Sequence, residues 1–511
     1  MVKRRQLLLA KALMFHRGAA YLGGLALILF SLSGLCHVVM TWTGPQAVAF
    51  FPPQMTIDPT LVSHIPATLQ RAGIATAGVV KVVQTEKGSL LQVTENHSNP
   101  RRYFDLTSGG EVPDYDQQHA VWLARYYSGT RKAPVRSITF QTEFSDDYPW
   151  VNRLLPVYRI EFDTPEDLTV FIYTELGALG DITDSKKVFL QALFRWGHTW
   201  SFLDDVEVGR VLALFVFLVS IIGMALSGLS MISLMKRRKM PWYRAVHRLT
   251  GFFIWLPILA LSSSGLVHLF ASSSVYSTGA RQKALQLPSS MVLSTDRFVA
   301  DVSQLNWLAG KKATAVSLME GSGGERLFRI SIATGDAPLG VDRSARFKGV
   351  PSESSAIFVS ASTGQKSNVT DREVAIHHAT KHLGAAARGV FDARLMTQFG
   401  PVYDFRNKRL PAWAIDYKTE KKGTMFIDPA SGMQIDHVTS DERVERYSFS
   451  VFHKWNILTP FIGRAGRDVV IALVIAATVC ATGIGFWLRF ASIKMTAKRR
   501  ENVACVENGP S

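Results

Sequence analysis

Two pairs of histidines set the chemistry that this chain is equipped for. His16 and His37 lie 21 residues apart, as do His247 and His268, and each pair brackets an apolar segment. Both segments open on His-Arg (His16-Arg17, His247-Arg248) and close on Ser-Gly-Leu-x-His (Ser33 to His37, Ser264 to His268). On a helix that spacing rises about 31 Å and falls roughly 60° short of whole turns, so both imidazoles can face one partner from opposite membrane surfaces. Imidazole is the usual protein ligand for haem b inside a membrane, where ionisable groups are expensive unless used. The pattern therefore predicts stacked histidine-ligated sites, as in a membrane cytochrome.

Six of the 13 histidines sit at span boundaries: His16, His37, His198, His247, His268 and His453. Any one alone reads as an interfacial polar residue; their recurrence in both halves favours haem ligation. By symmetry the inner site pairs His16 with His247. At the outer surface His37, His268, His198 and His453 form either one symmetric pair with two bystanders or two further sites. Gly34 and Gly265, one turn before His37 and His268, either let a flat macrocycle approach the backbone or simply let helices pack. Arg17 and Arg248 are either partners for haem propionates or topology anchors. Trp200 and Trp455 fit an aromatic belt at the membrane surface, or a haem contact. No Cys-x-x-Cys-His occurs, so the expected cofactor is non-covalent haem b, in two copies.

The elements that must carry these residues are four stretches long and apolar enough to span a bilayer, about Gly18 to Trp42, Val211 to Met235, Leu249 to Ser272 and Val469 to Phe490. The net charge of +16 invites a nucleic-acid reading, but its distribution argues against one. Five bases and no acid fall in residues 1–17, six bases fall between Lys236 and Arg248, and the tail from Arg489 carries five bases against two acids. The two long polar segments, roughly Thr43 to Arg195 and Ser273 to Arg446, nearly cancel in charge. Such a bias is a topology signal: both termini and the short turn face the cytoplasm, and both large segments lie outside. The polar segments contain no cysteine, so an ordinary apolar core rather than disulfides must hold them. The first span matches an internal one and is expected to be retained rather than cleaved as a signal peptide.

The second half repeats the first at an offset of 255 residues from about Asp116 through Leu203, while the first and third spans align at 231. Leu155 to Phe162 falls on Leu410 to Tyr417, Gly177 on Gly432, and His198-Thr199-Trp200 on His453-Lys454-Trp455. Parallel repeats of this kind pair about an axis along the membrane normal, which brings equivalent histidines together. Asp371 to Leu383 reads as a capped helix ending at Gly384; Ala412 to Tyr417 and Gly423 to Ile427 read as strands. The expected layout is 1–42 basic segment and first span, 43–195 first external α+β domain, 196–235 His-x-Trp boundary and second span, and 236–248 basic turn. It continues with 249–272 third span, 273–446 second external domain, 447–490 boundary and fourth span, and 491–511 cytoplasmic tail.

Leu410-Pro411-Ala412-Trp413-Ala414-Ile415-Asp416-Tyr417, followed by Met425-Phe426-Ile427-Asp428-Pro429-Ala430-Ser431-Gly432, resembles the end of a PepSY domain: a strand, a hairpin and an aspartate-proline-x-x-glycine turn. With the His-Arg openings, the Ser-Gly-Leu exits and four spans, nearly the whole chain resembles the PepSY-associated transmembrane family. That resemblance implies external PepSY-like domains and, since some members are haem-carrying siderophore reductases of the inner membrane, a ferric siderophore or other Fe(III) chelate as the external acceptor. The first half departs at the turn, reading Tyr173-Thr174-Glu175-Leu176-Gly177, as expected of a diverged copy.

The reading is a multi-pass bacterial inner-membrane oxidoreductase with periplasmic domains, reducing an Fe(III) chelate. No Gly-x-Gly-x-x-Gly lies in a strand-to-helix setting, so electrons are expected from membrane quinol or a separate reductase. Two rivals stand beside it: a PepSY regulatory or peptidase-binding module on a membrane anchor, and a transporter for iron, copper or a chelate. Haem content and electron transfer separate both from the reductase. His378 and His382, with His377 beside them, share i and i+4 spacing on the predicted helix, where a solvated face is preferred to a metal site because no third ligand is evident nearby. The first half has Trp122, Leu123 and Tyr127 at these positions.

Overall fold

The computed structural model describes residues 2–53, 55–235, 240–273, 287–288, 290–293, 312–332, 349–350, 356–384, 389–418 and 422–507, with backbone alone at residue 2 and over 492–507. Lys236 to Lys239 of the basic turn lie outside the described residues. The chain divides into two compact units, one of residues 1–43, 189–280 and 444–511, the other of residues 44–188 and 281–443.

Four helices of the first unit are long and apolar enough to cross a membrane: Val2–Thr43, Glu207–Leu234, Trp242–Ser272 and Thr459–Glu507. They pack as a closed ring, each against two others, in the order first, second, third, fourth and back to first. Small and aliphatic side chains fill the middle: Ala26, Leu27, Ile221, Ala225, Ile254, Ile258 and Ala481. A Cβ on Gly23 would stand 3.0 Å from the Ser220 carbonyl oxygen, so the first two helices approach almost to backbone contact, as small residues permit in membranes. Leu25, Leu32, Leu212, Phe253, Leu256 and Leu473 point outward, an apolar exterior that water would penalise and lipid would not. The first helix begins well before the span expected at Gly18, because the basic stretch ahead of it holds good helix formers and no glycine or proline.

Each polar segment leads into the long apolar helix that follows through the same three-part joint. Ser185–Phe194 is α-helical, Arg195–Thr199 is a wide π-helical turn, and Ser201–Val206 is a 3-10 turn. In the second half the parts are Ser440–Ser448, Phe449–His453 and Asn456–Leu458. Trp200 (φ 54°) and Trp455 (φ 51°) sit in the left-handed region at the exit of the π turns, an unusual place for a bulky residue. The helical unit therefore starts at residues 189 and 444, slightly before the boundaries expected at 196 and 447.

The second unit is α+β. Strands Val135–Gln141, Val157–Phe162, Thr169–Tyr173 and Ala178–Thr183 make one antiparallel four-stranded sheet, and Val390–Met396, Ala412–Lys418, Lys422–Ile427 and Gln434–Thr439 make another. The helices Tyr115–Ser128 and Asp371–Leu383 pack on the first and second sheet respectively. The second is closed at its start by a capping box in which Thr370 Oγ1 accepts from the Glu373 amide at 3.3 Å and Glu373 Oε2 accepts from the Thr370 amide at 2.8 Å. The turn after Ile427 returns through Gly432 (φ 71°), matched by Gly177 (φ 59°) in the first half.

One expectation is corrected. The polar segments were expected as two separate domains, yet they form one unit. Strand Val79–Thr85 of the first pairs with Ala313–Glu320 of the second, Val82 opposite Val316, inside a seven-stranded antiparallel sheet to which both contribute. Tyr148, Val157, Phe171 and Tyr173 share a core with Tyr403, Ala412, Ala414 and Phe426. Apolar alternation in the sequence predicts a buried face but not which sheet covers it.

Candidate functional site

The helical unit positions His16, His37, His247 and His268 on two of its long helices and His198 and His453 on the π turns. What distinguishes them is the treatment of Nδ1. His16 Nδ1 lies 3.1 Å from the Met224 carbonyl oxygen and 3.1 Å from Ser227 Oγ, both on the second spanning helix. His247 Nδ1 lies 2.9 Å from the Ala481 carbonyl oxygen on the fourth. A carbonyl oxygen only accepts, so the proton is on Nδ1 in both rings. In a neutral imidazole this leaves Nε2 with its lone pair, the state that a metal requires. These two histidines also lie over glycines: a Cβ on Gly228 would stand 3.5 Å from His16 Cε1, and one on Gly485 3.2 Å from His247 Cε1.

At the other end the π turns carry His198 and His453. His198 Nδ1 is 3.0 Å from Ser33 Oγ, whose own hydrogen is directed to the Leu29 carbonyl at 2.8 Å, so the hydroxyl oxygen accepts from the ring. His453 Nδ1 is 3.2 Å from Ser264 Oγ, which donates to the Leu261 carbonyl at 3.0 Å. The serines are the first residues of the two Ser-Gly-Leu-x-His motifs. The glycines that follow, Gly34 and Gly265, would each bring a Cβ to 3.8 Å from the same imidazole's Cε1. Thus the motif in one helix cradles the histidine of the joint that leads into the next.

His198 and His453 are brought together, with ring centroids 6.1 Å apart and planes at 76°. Aromatic rings extend this pair symmetrically. Phe194 stacks on His198 at 4.8 Å and Phe449 on His453 at 4.8 Å. Beyond them, His37 tilts against Phe194 at 5.3 Å, and His268 stacks on Phe449 at 4.3 Å. His268 Nδ1 lies 2.5 Å from Glu445 Oε1, a charged acceptor and a short contact. His37 is exposed where the other five are half-buried.

Five of the six histidines therefore hold Nδ1 on an oxygen, the support that metal-ligating imidazoles commonly have. This donor set fits haem iron. Sequence reading singled out the six rings but neither Glu445 nor the hydrogen bonds that Ser33 and Ser264 accept from two of them. The serines carried a signal, since they recur in the repeated motif; Glu445 carried none, because Leu190 holds its place in the first half.

The neighbouring candidates are placed as well. Arg248 reaches the Ile232 carbonyl at 3.5 Å. Trp200 packs on Phe30 and Phe217, and Trp455 Nε1 donates to the Phe452 carbonyl at 2.9 Å. In the second unit, His377, His378 and His382 diverge. His377 Nε2 meets Glu320 at 3.3 Å, His382 Nε2 meets the Gly432 carbonyl at 3.3 Å, and His378 is buried against Gly432. Among the described residues, no three His, Cys, Asp or Glu side chains converge as a metal-binding group. No protein-family model matches this chain, and no curated protein does either.

Proposed function

We propose that the helical unit binds b-type haem, two in number, and that the protein passes electrons across the bacterial inner membrane to a periplasmic Fe(III) chelate, a ferric siderophore being the substrate class. The observation that carries this reading is the fixed tautomer: Nδ1 of His16, His247, His198, His453 and His268 each faces an acceptor oxygen, which aims an unprotonated Nε2 elsewhere. His16 and His247 would serve the cytoplasmic end, and His198 and His453, with His37 and His268 beside them, the periplasmic end. Haem supplies one-electron redox chemistry, which polar side chains alone lack.

The chain's own residues do the rest. Carbonyls and serines hold the imidazoles in one orientation, and the apolar middle of the helix ring excludes water between the two ends. Matching joints, matching left-handed tryptophans and the 255-residue register support a duplicated unit, with PepSY-like external halves. The bases before Gly18 and from Arg489 onward support cytoplasmic termini. Hard oxygen donors hold Fe(III) far more firmly than Fe(II), so one electron is enough to loosen the metal without breaking the chelator. Membrane quinol or a separate reductase is the proposed donor.

Mixing dithionite-reduced, desalted protein with Fe(III) chelates in a stopped-flow spectrometer tests the activity. The expected result is oxidation at a rate that rises with chelate concentration, with one Fe(II) trapped per electron lost. Protein that stays reduced with every Fe(III) chelate, yet is oxidised by ferricyanide, would exclude this acceptor class.

A further inference from the structure

The two halves match in histidines but not in what stands behind them. Phe194 and Phe449 occupy equivalent places, each between an inner π-turn histidine and an outer helix-end histidine. One helical turn before Phe449 is Glu445, whose Oε1 is 2.5 Å from His268 Nδ1. One turn before Phe194 is Leu190, and the equivalent His37 has no carboxylate at that position. Among the five oriented histidines, His268 alone donates to a charged acceptor; the others donate to neutral carbonyls or hydroxyls.

We propose that Glu445 is a positioning residue that makes His268 the most electron-donating imidazole of the set, so that the periplasmic-end haem iron held by His268 has a lower reduction potential than a neutral residue at position 445 would give it. This rests on the haem reading above. A carboxylate on Nδ1–H draws the proton toward itself and gives the ring imidazolate character; the added negative charge favours Fe(III) over Fe(II). Side chains around this contact are partly shielded, with 35% of the His268 side chain and 17% of the Glu445 side chain exposed, so bulk water screens it incompletely. The repeat thus yields two outer imidazoles, His268 backed by Glu445 and His37 with Leu190 at the equivalent place.

Redox titration of the full chain in detergent, followed by absorption and low-temperature paramagnetic resonance, tests this. Glu445→Gln keeps an acceptor oxygen and removes its charge. It should raise the potential of the periplasmic-end component by about a tenfold change in the oxidised-to-reduced ratio, or about 59 mV, and leave the cytoplasmic-end component in place. Leu190→Glu, which places a carboxylate beside His37, should lower that same component by a similar amount, and Glu445→Asp should fall between wild type and Glu445→Gln. If Glu445→Gln loses haem, the Leu190→Glu and Glu445→Asp titrations decide. Wild-type potentials for every component in all haem-replete variants would overturn the proposal. Failure of the parent reading shows separately, as wild-type protein without haem.

Discussion

Histidines of the helical unit and histidines of the α+β unit are set differently. In the α+β unit His119 and His378 are each 4% exposed, the more deeply buried group, yet His119 Nδ1 and His378 Nε2 have no hydrogen-bond partner. His119 is packed among Tyr103, Tyr115 and Trp122, and His378 lies against Gly432. They behave as flat core side chains. In the helical unit the rings are less buried, but Nδ1 is fixed on an oxygen in five of six. The proposed ligand histidines thus differ from the buried core histidines in having an oxygen that holds Nδ1, a difference that burial alone does not show.

The sharpest way to break this contrast is substitution on both sides of it. His16→Ala or His247→Ala should abolish one haem spectral component while leaving the rest. His378→Ala should leave haem content unchanged and cost about 3 kcal/mol of stability by emptying a packed site. Equal haem in all three variants would erase the distinction. Removing only the support should do less: Ser33→Ala or Ser264→Ala strands the Nδ1–H of His198 or His453 and should weaken haem retention about 10–100-fold, read by haem transfer to apomyoglobin. Wild-type transfer rates would mean that the serines do not orient the rings.

The smallest effect is a slope with pH. Burial pushes His119 and His378 down to about 3, with Lys81 adding to it for His119 and the neighbouring His377 and His382 for His378. Both are neutral when folded, whereas the unfolded chain protonates near 6.5, so the unfolded state binds more protons between those values. Their contribution is intact above that range and is lost as pH falls toward the folded value. The expected loss is about 1.4 kcal/mol per pH unit for each histidine. Urea unfolding followed by circular dichroism between pH 6 and 4 should show a shallower slope in His378→Gln than in wild type. Equal slopes would show that the ring is not held neutral.

Much of this was legible in the chain. The spans follow from unbroken apolar length, and the helix Asp371–Leu383 from its Thr370 and Glu373 cap. The six histidines stood out because a 21-residue spacing recurs from His16 to His37 and from His247 to His268, and a His-x-Trp motif at His198 and His453. Other features depend on contacts across hundreds of residues. Nothing local says that Val82 pairs with Val316, since a strand's alternation is the same whichever partner it meets. The π turns at His198 and His453 look like ordinary helix in sequence. Met224 and Ala481 act through their backbone carbonyls, which no side chain advertises.

The central claim is that these histidines hold haem b. It is tested most directly by purifying the full chain in mild detergent from cells supplied with haem precursor, then recording a reduced-minus-oxidised spectrum and a pyridine haemochrome. The account predicts a b-type spectrum with two haems per chain. A colourless protein from cells that assemble other b-type cytochromes would contradict it.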